Sequence, residues 1–386
     1  MRCAPREVDT PLKGHACSVC GLAFHTQSGL SQHCRHRHPI VRNEQRKEAM
    51  VAKRKVKEGA SRVRIWTNEE MDEVRNVLRE NKKDSAPGPD KIKVGDLWDI
   101  FHLNSLILTK NFNMWFLEGQ IPNDFKENRT ILISKTQDEE DLKKLMIGSI
   151  WIRIYTKILA KRLSEAVKIC NRQKGFIAAS GCEENISVLD NLMKGAKRNG
   201  DEIAIVFVDL AKVFDSVEHG HIIAGLKRFG VDQHFIGIIR DLYENCTTRV
   251  WVWEFYSESI LIKKGVKQGD PLSPILFNIA MDPLLTTLES EGNGFYVQGS
   301  KVTSLAFADN VAILSNSYVG MERNLGILER FCNSTNLQVN VKKTKGFHTF
   351  TKYKTYIVNP KEKWKIGKEE IEYVQTGEFE KYLAHQ

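Results

Sequence analysis

Phe207-Val208-Asp209-Leu210-Ala211-Lys212-Val213-Phe214-Asp215 follows directly on Ile203-Ala204-Ile205-Val206. An unbroken apolar run closed by a carboxylate predicts a buried strand with Asp209 at its end. Further along, Phe307-Ala308-Asp309-Asn310 is flanked by the apolar runs 302–308 and 311–315. Two such runs pinched at Asp309-Asn310 predict a hairpin with its carboxylate at the tip and an Asn that tolerates positive φ there. Between them, Gln268-Gly269-Asp270-Pro271-Leu272-Ser273-Pro274 opens the apolar helix expected over 275–288. Gly269 and Pro271 shape a loop at a helix N-terminus, where backbone amides favour anions. Two carboxylates presented from adjacent strands are what a pair of divalent cations needs.

Together these three motifs resemble reverse transcriptases, specifically those of non-LTR retrotransposons. The resemblance implies an α+β chain with a right-handed fingers/palm polymerase fold, acting as an RNA-directed DNA polymerase. Its implied partners are an RNA template, a DNA target and primer, and deoxynucleoside triphosphates. Asp209 and Asp309 are the expected magnesium ligands, and Asp209, Asp309 and Asn310 the expected catalytic set. The family carries a second Asp where this chain has Asn310. An amide oxygen brings no charge against a dication, so weakened activity is expected, with the fold intact. The competing expectation is a catalytically inactive nucleic-acid-binding relic.

Other site residues also rest on the resemblance. Phe214 falls where the family places a ring beneath the sugar, and Gln268 where it contacts the incoming nucleotide. Arg129-Thr130-Ile131-Leu132-Ile133-Ser134-Lys135 is similar to the fingers strand of the family. Lys144-Leu145-Met146 stands where the family usually shows Arg-Pro-Ile, so Lys144 keeps the charge but loses the planar fork that suits a phosphate. Lys343 is the candidate general acid for pyrophosphate; a solvated lysine in a basic run is an equal reading. Read from residue type alone, Lys135 and Lys144 are solvated lysines and Phe214 is core. Asp215 is expected to pair with a nearby base or cap the next helix.

The N-terminal segment reads Cys17-x2-Cys20-x3-Phe24-x5-Leu30-x2-His33-x4-His38. Two cysteines on a tight turn and two histidines one helical turn apart supply a tetrahedral zinc site, so a small structural ββα zinc finger is expected with Cys17, Cys20, His33 and His38 as ligands. Its base-reading positions are Thr26, Ser28, Gly29 and Gln32, of which Gln32 suits adenine. Net charge is +9, and residues 1–65 hold 14 Lys/Arg against 5 Asp/Glu, so the other 321 residues balance at 43 of each sign. That asymmetry is the footprint of a nucleic-acid-binding arm. A solvated linker is the plainer reading of the charge run alone.

No run of about 18 apolar residues exists, which argues against a membrane span or secretion and for a nuclear or cytoplasmic protein. The expected organisation is a finger at 15–40, a basic linker at 41–65, an N-terminal extension at 66–127, fingers and palm at 128–350, and the start of a truncated thumb at 351–386. The finger-plus-polymerase layout is most similar to site-specific elements that insert into ribosomal RNA genes. The likeness runs from about residue 62 to about residue 383, and the thumb and endonuclease of such elements are expected to be absent. Helices are expected over 71–78, 97–117 and 155–167 from apolar periodicity.

Overall fold

The computed structural model describes residues 15–16, 23–24, 68–134, 142–177, 181–252, 255–297, 300–352, 355–359 and 362–374. Strands β1 (His15–Ala16) and β2 (Ala23–Phe24) pair antiparallel. Cys17, Cys20, Thr26, Ser28, Gln32, His33 and His38 lie outside the described residues, as does the basic linker.

Three helices follow: α1 (Asn68–Glu80), α2 (Val94–Leu103) and α3 (Ser105–Glu118). The single helix expected over 97–117 is therefore two. Asn104 sits between them in extended geometry, and its side chain accepts a hydrogen bond from the Leu106 amide. Asn competes well for such a cap, so the chain turns where apolar periodicity alone sees continuity. Next come β3 (Glu127–Ser134), β4 (Leu142–Gly148), α4 (Ile150–Ala166) and α5 (Gly181–Asn199). The Ser149 hydroxyl caps α4 by accepting from the Trp151 amide and itself donates to Asp90 at 2.6 Å. That bond seats the 85–90 loop against the start of the helix.

The Asp209 run forms β5 (Ile203–Val208), followed by α6 (Val213–Ser216), α7 (His219–Arg228) and α8 (Gln233–Tyr243). Strands β6 (Thr247–Val252), β7 (Phe255–Tyr256) and β8 (Ile260–Leu261) lead to the long helix α9 (Ser273–Glu291). After it come β9 (Phe295–Val297), β10 (Ser300–Val302), β11 (Ser304–Phe307), β12 (Asn310–Ser315) and α10 (Tyr318–Thr335). The described chain closes with β13 (Lys345–Lys352), β14 (Thr355–Val358), β15 (Lys365–Ile366), β16 (Glu369–Glu370) and β17 (Glu372–Tyr373).

Two sheets organise these elements. The larger has the order β11-β12-β5-β13-β14, with β17 added parallel to β13. The smaller has the order β4-β3-β6-β7, with β8 beside β6 and β3 parallel to β6. Strands β14 and β17 hydrogen-bond to β13 and carry the larger sheet on to Tyr373.

Burial explains why β5 is apolar at every position. Ala204, Val206 and Val208 face the main core with α9 and α10, while Ile203 and Ile205 face Val188, Leu192 and Ala196 of α5. A strand covered on both faces loses the alternation of a half-exposed one. Helix α9 runs through the core itself, with Leu276, Phe277, Ile279, Ala280 and Met281 all fully buried. No helix among the described residues is long and apolar enough to cross a membrane.

Candidate active site

The register of the larger sheet decides where the carboxylates meet. Val208 of β5 pairs with Val311 of β12, and the same register carried one step further sets Asp209 opposite Asn310. Phe307 pairs with Asn310 across the β11–β12 hairpin, leaving Ala308-Asp309 as a two-residue loop. The expected tip is thereby shifted by one residue. Ala308 takes the positive φ, at 56°, and Asn310 is the first residue of β12 rather than a tip residue. Pairing with β5 fixes this placement, and a local reading of the hairpin does not contain it.

Asp209 and Asp309 thus project from the end of the central strand and the turn beside it. Among the described residues neither carboxylate has an ion pair. Burial holds the Asp309 carboxyl above the ordinary carboxylate range, and the neighbouring Asp209 charge pushes the same way. Two half-buried acids left without a counter-ion suit a hard cation, which takes carboxylate oxygens and keeps part of its water. Among the described residues no cluster of three His, Cys, Asp or Glu side chains forms, and the third position here is the Asn310 amide. The residues present therefore fit magnesium, with one charge fewer than three carboxylates would supply.

A pH dependence follows from the raised Asp309. Its folded-state pKa exceeds that of the unfolded chain, so in the metal-free protein the folded form binds the extra proton. Stability is then lost as pH rises from the ordinary carboxylate range through the raised value. Asp309→Asn should accordingly stabilise the metal-free protein at neutral pH and do little near pH 4. Thermal melts at the two pH values, with chelator present, check this; an equal shift at both would rule it out.

The Asp209 peptide is held by the turn that carries Lys343. Its N–H donates to the Thr344 hydroxyl at 3.2 Å, and its carbonyl accepts from the Asn340 amide at 2.8 Å. Lys343 itself is exposed within that turn. Sequence reasoning overlooked Thr344, whose only local signal is a hydroxyl after a basic pair.

On the other side lies a second cluster. The Val266 amide donates to the Phe214 carbonyl at 2.8 Å, drawing the Gln268 loop onto α6. Gly265 adopts φ 87°, and a Cβ there would lie 2.8 Å from the Asp215 carbonyl oxygen, so this close approach requires glycine. The Phe214 ring stacks on Phe277 with centroids 4.3 Å apart, and Phe176 meets it edge-on at 6.1 Å. Gln268 Nε2 donates to Asp215 Oδ1 at 3.1 Å, and Lys144 Nζ lies 3.6 Å from Asp215 Oδ2. Asp215 thus finds the base that sequence reasoning expected for it, and it ties Gln268 to Lys144. Lys135 lies outside the described residues.

Asp270, in the same loop, is half-buried, accepts from the Leu272 amide at 2.8 Å and the Thr156 hydroxyl at 3.2 Å, and has its carboxyl pushed up by desolvation. It braces the loop at the start of α9.

Comparison with known proteins bears on this arrangement. Residues 134–374 match the family described as reverse transcriptase (RNA-dependent DNA polymerase). The chain is 32% identical over 330 residues to the retrovirus-related Pol polyprotein from the type-1 retrotransposable element R2 of Nasonia vitripennis, covering 83% of this chain and 31% of that protein. It is 30% identical over 305 residues to the Pol polyprotein from the type-2 retrotransposable element R2DM of Drosophila melanogaster, covering 78% of this chain and 28% of that protein. A Pol polyprotein from the type-1 element R2 of Popillia japonica is 33% identical over 268 residues, or 68% of this chain and 37% of that protein. The chain thus spans about a third of the length of these relatives.

Proposed function

The chain belongs to the reverse transcriptase (RNA-dependent DNA polymerase) family, and from that premise we propose that it carries the fingers and palm of a non-LTR retrotransposon polymerase. In this reading it extends a DNA primer on an RNA template with deoxynucleoside triphosphates, at a rate lowered by Asn310. One observation carries it: the sheet register brings Asp209 and Asp309 together at adjacent strand ends, and neither has a cation partner among the described residues.

Asp209, Asp309 and the Asn310 amide oxygen would hold magnesium, which when bound supplies Lewis acidity toward the primer hydroxyl and the phosphates. The remaining work falls to the chain itself. Asp215 holds Lys144 and Gln268 together, which presents a cation and an amide toward the triphosphate. Phe214, fixed from below by Phe277, supplies a flat wall where a ribose 2′-hydroxyl would clash. Lys343, exposed on the turn bonded to Asp209, would be the group that protonates the departing pyrophosphate. Primer extension on a purified RNA template, with manganese and with magnesium, tests the reading. Manganese accepts amide oxygen more readily, so extension should be stronger with it. Nucleic-acid binding with no extension under either metal would favour the inactive relic instead, a reading that the missing carboxylate at 310 motivates.

For the N-terminal segment we propose a zinc-bound finger held by Cys17, Cys20, His33 and His38, preceding a basic arm that contacts target DNA. So small a module takes its folding free energy from the metal. A peptide covering 12–42 should gain helical circular dichroism when titrated with zinc, and His33→Ala should remove that transition. A flat titration of the unmodified peptide would refute the ligand assignment.

A further inference from the structure

The Ala308-Asp309 turn is held by more than its own hairpin. Between two turns, residues 172–174 bridge to the outer edge of β11 through the single pair Gln173 and Ala306. Ala306 N–H donates to the Arg172 carbonyl at 3.0 Å, and Lys174 N–H donates to the Ala306 carbonyl at 2.8 Å. This places Gln173, 1% exposed, directly against the turn. Its Nε2 donates to the Ala308 carbonyl at 3.0 Å, and its Oε1 accepts from the Ala308 amide at 2.8 Å. The same oxygen accepts from the Gly175 amide at 2.8 Å. One buried side chain therefore satisfies both backbone groups of Ala308, the residue whose φ of 56° aims Asp309.

The approach is as close as the backbone allows. A Cβ on Gly175 would lie 2.1 Å from the Ala308 nitrogen, so the 173–175 segment reaches the turn only because that residue is glycine. The Gly175 carbonyl in turn accepts from Asn278 Nδ2 of α9 at 3.0 Å. Helix α9 also carries Phe277 beneath Phe214, so the segment is anchored to the element that supports the other half of the site.

We propose that Gln173 is a positioning residue for the metal-binding turn, locking the left-handed Ala308 peptide so that Asp309 meets a divalent cation beside Asp209. The inference rests on the metal site proposed above. A buried amide is well suited to the task. It matches one donor and one acceptor of a single residue, and it adds no charge beside two carboxylates that already repel. Groups that orient metal ligands typically change affinity by about tenfold to a hundredfold when removed.

The test is manganese affinity of the full chain, measured as loss of the free-ion signal in electron paramagnetic resonance. Asp209→Ala defines binding elsewhere on the protein. Gln173→Met keeps the volume and removes all three bonds, whereas Gln173→Asn is a milder shortening that retains an amide. Asn185→Ala serves as the structural control. It deletes a buried 3.0 Å bond to the Ala306 carbonyl on the same strand and leaves the turn untouched. We expect Gln173→Met and Gln173→Asn each to weaken Asp209-dependent manganese binding about tenfold or more, with Asn185→Ala lowering the melting temperature but not the affinity. Unchanged affinity in folded Gln173→Asn would overturn the inference and leave the metal site standing. So would equal weakening by Asn185→Ala, since that marks a general loosening of the strand. If the unmodified chain binds no more manganese than Asp209→Ala does, the metal-site reading fails and takes this inference with it.

Discussion

Asp209→Ala is expected to bring manganese-supported primer extension down to the level of a reaction without protein, while the melting temperature stays level or rises. Loss of activity alone would not separate a catalytic role from a folding defect; the combination does. Among the described residues the Asp209 side chain makes no hydrogen bond or ion pair, and what anchors the residue is its peptide, bonded to Thr344 and Asn340. Those bonds survive truncation to alanine. The carboxylate that is removed also raises the pKa of Asp309, so metal-free protein loses a repulsion rather than a support. Folded-state stability is thus predicted to be insensitive and activity wholly sensitive. A drop of many degrees in the melting temperature would show that Asp209 is structural, and the site would have to be sought elsewhere.

The sequence made parts of this site readable and hid others for definite reasons. Asp209 could be placed because a strand buried on both faces must be apolar throughout, and the first charge after such a run marks its end. The hairpin was legible too, but its tip was misplaced by one residue. The turn Ala308-Asp309 is set by the pairing of β12 with β5, about a hundred residues earlier in the chain, and no local pattern encodes that partner. Asn104 ended a helix that apolar periodicity alone extends, because a side-chain cap competes with continuation. Gln173 was invisible as a site residue. Its role depends on contact with a residue 135 positions away, and a lone buried amide has no sequence signature. Gly175 was the available hint, since a glycine beside a buried polar residue often marks a close backbone approach. The link of Lys144 and Gln268 through Asp215 likewise required the fold, although a basic partner for Asp215 was anticipated.

Asn310→Asp is expected to raise magnesium-supported extension about a hundredfold, which corresponds to about 3 kcal/mol of transition-state stabilisation. The register places residue 310 opposite Asp209, so a carboxylate there joins the pair already present without any rearrangement of the sheet. Among the described residues the Asn310 side chain has no hydrogen bond, and its replacement gives up nothing in the fold. The cost is electrostatic. A third charge beside Asp209 and the partly desolvated Asp309 should lower the melting temperature of the metal-free protein at neutral pH, and magnesium should restore it. The two effects share a cause and must appear together. A melting point that magnesium raises, with no gain in extension, would mean the carboxylate binds metal but the chemistry is limited elsewhere. Lys144-Leu145 would then be the next suspect, since a lysine lacks the planar fork that grips a phosphate. Neither effect appearing would mean that residue 310 does not face Asp209, and with it would fall the register argument on which the site is built.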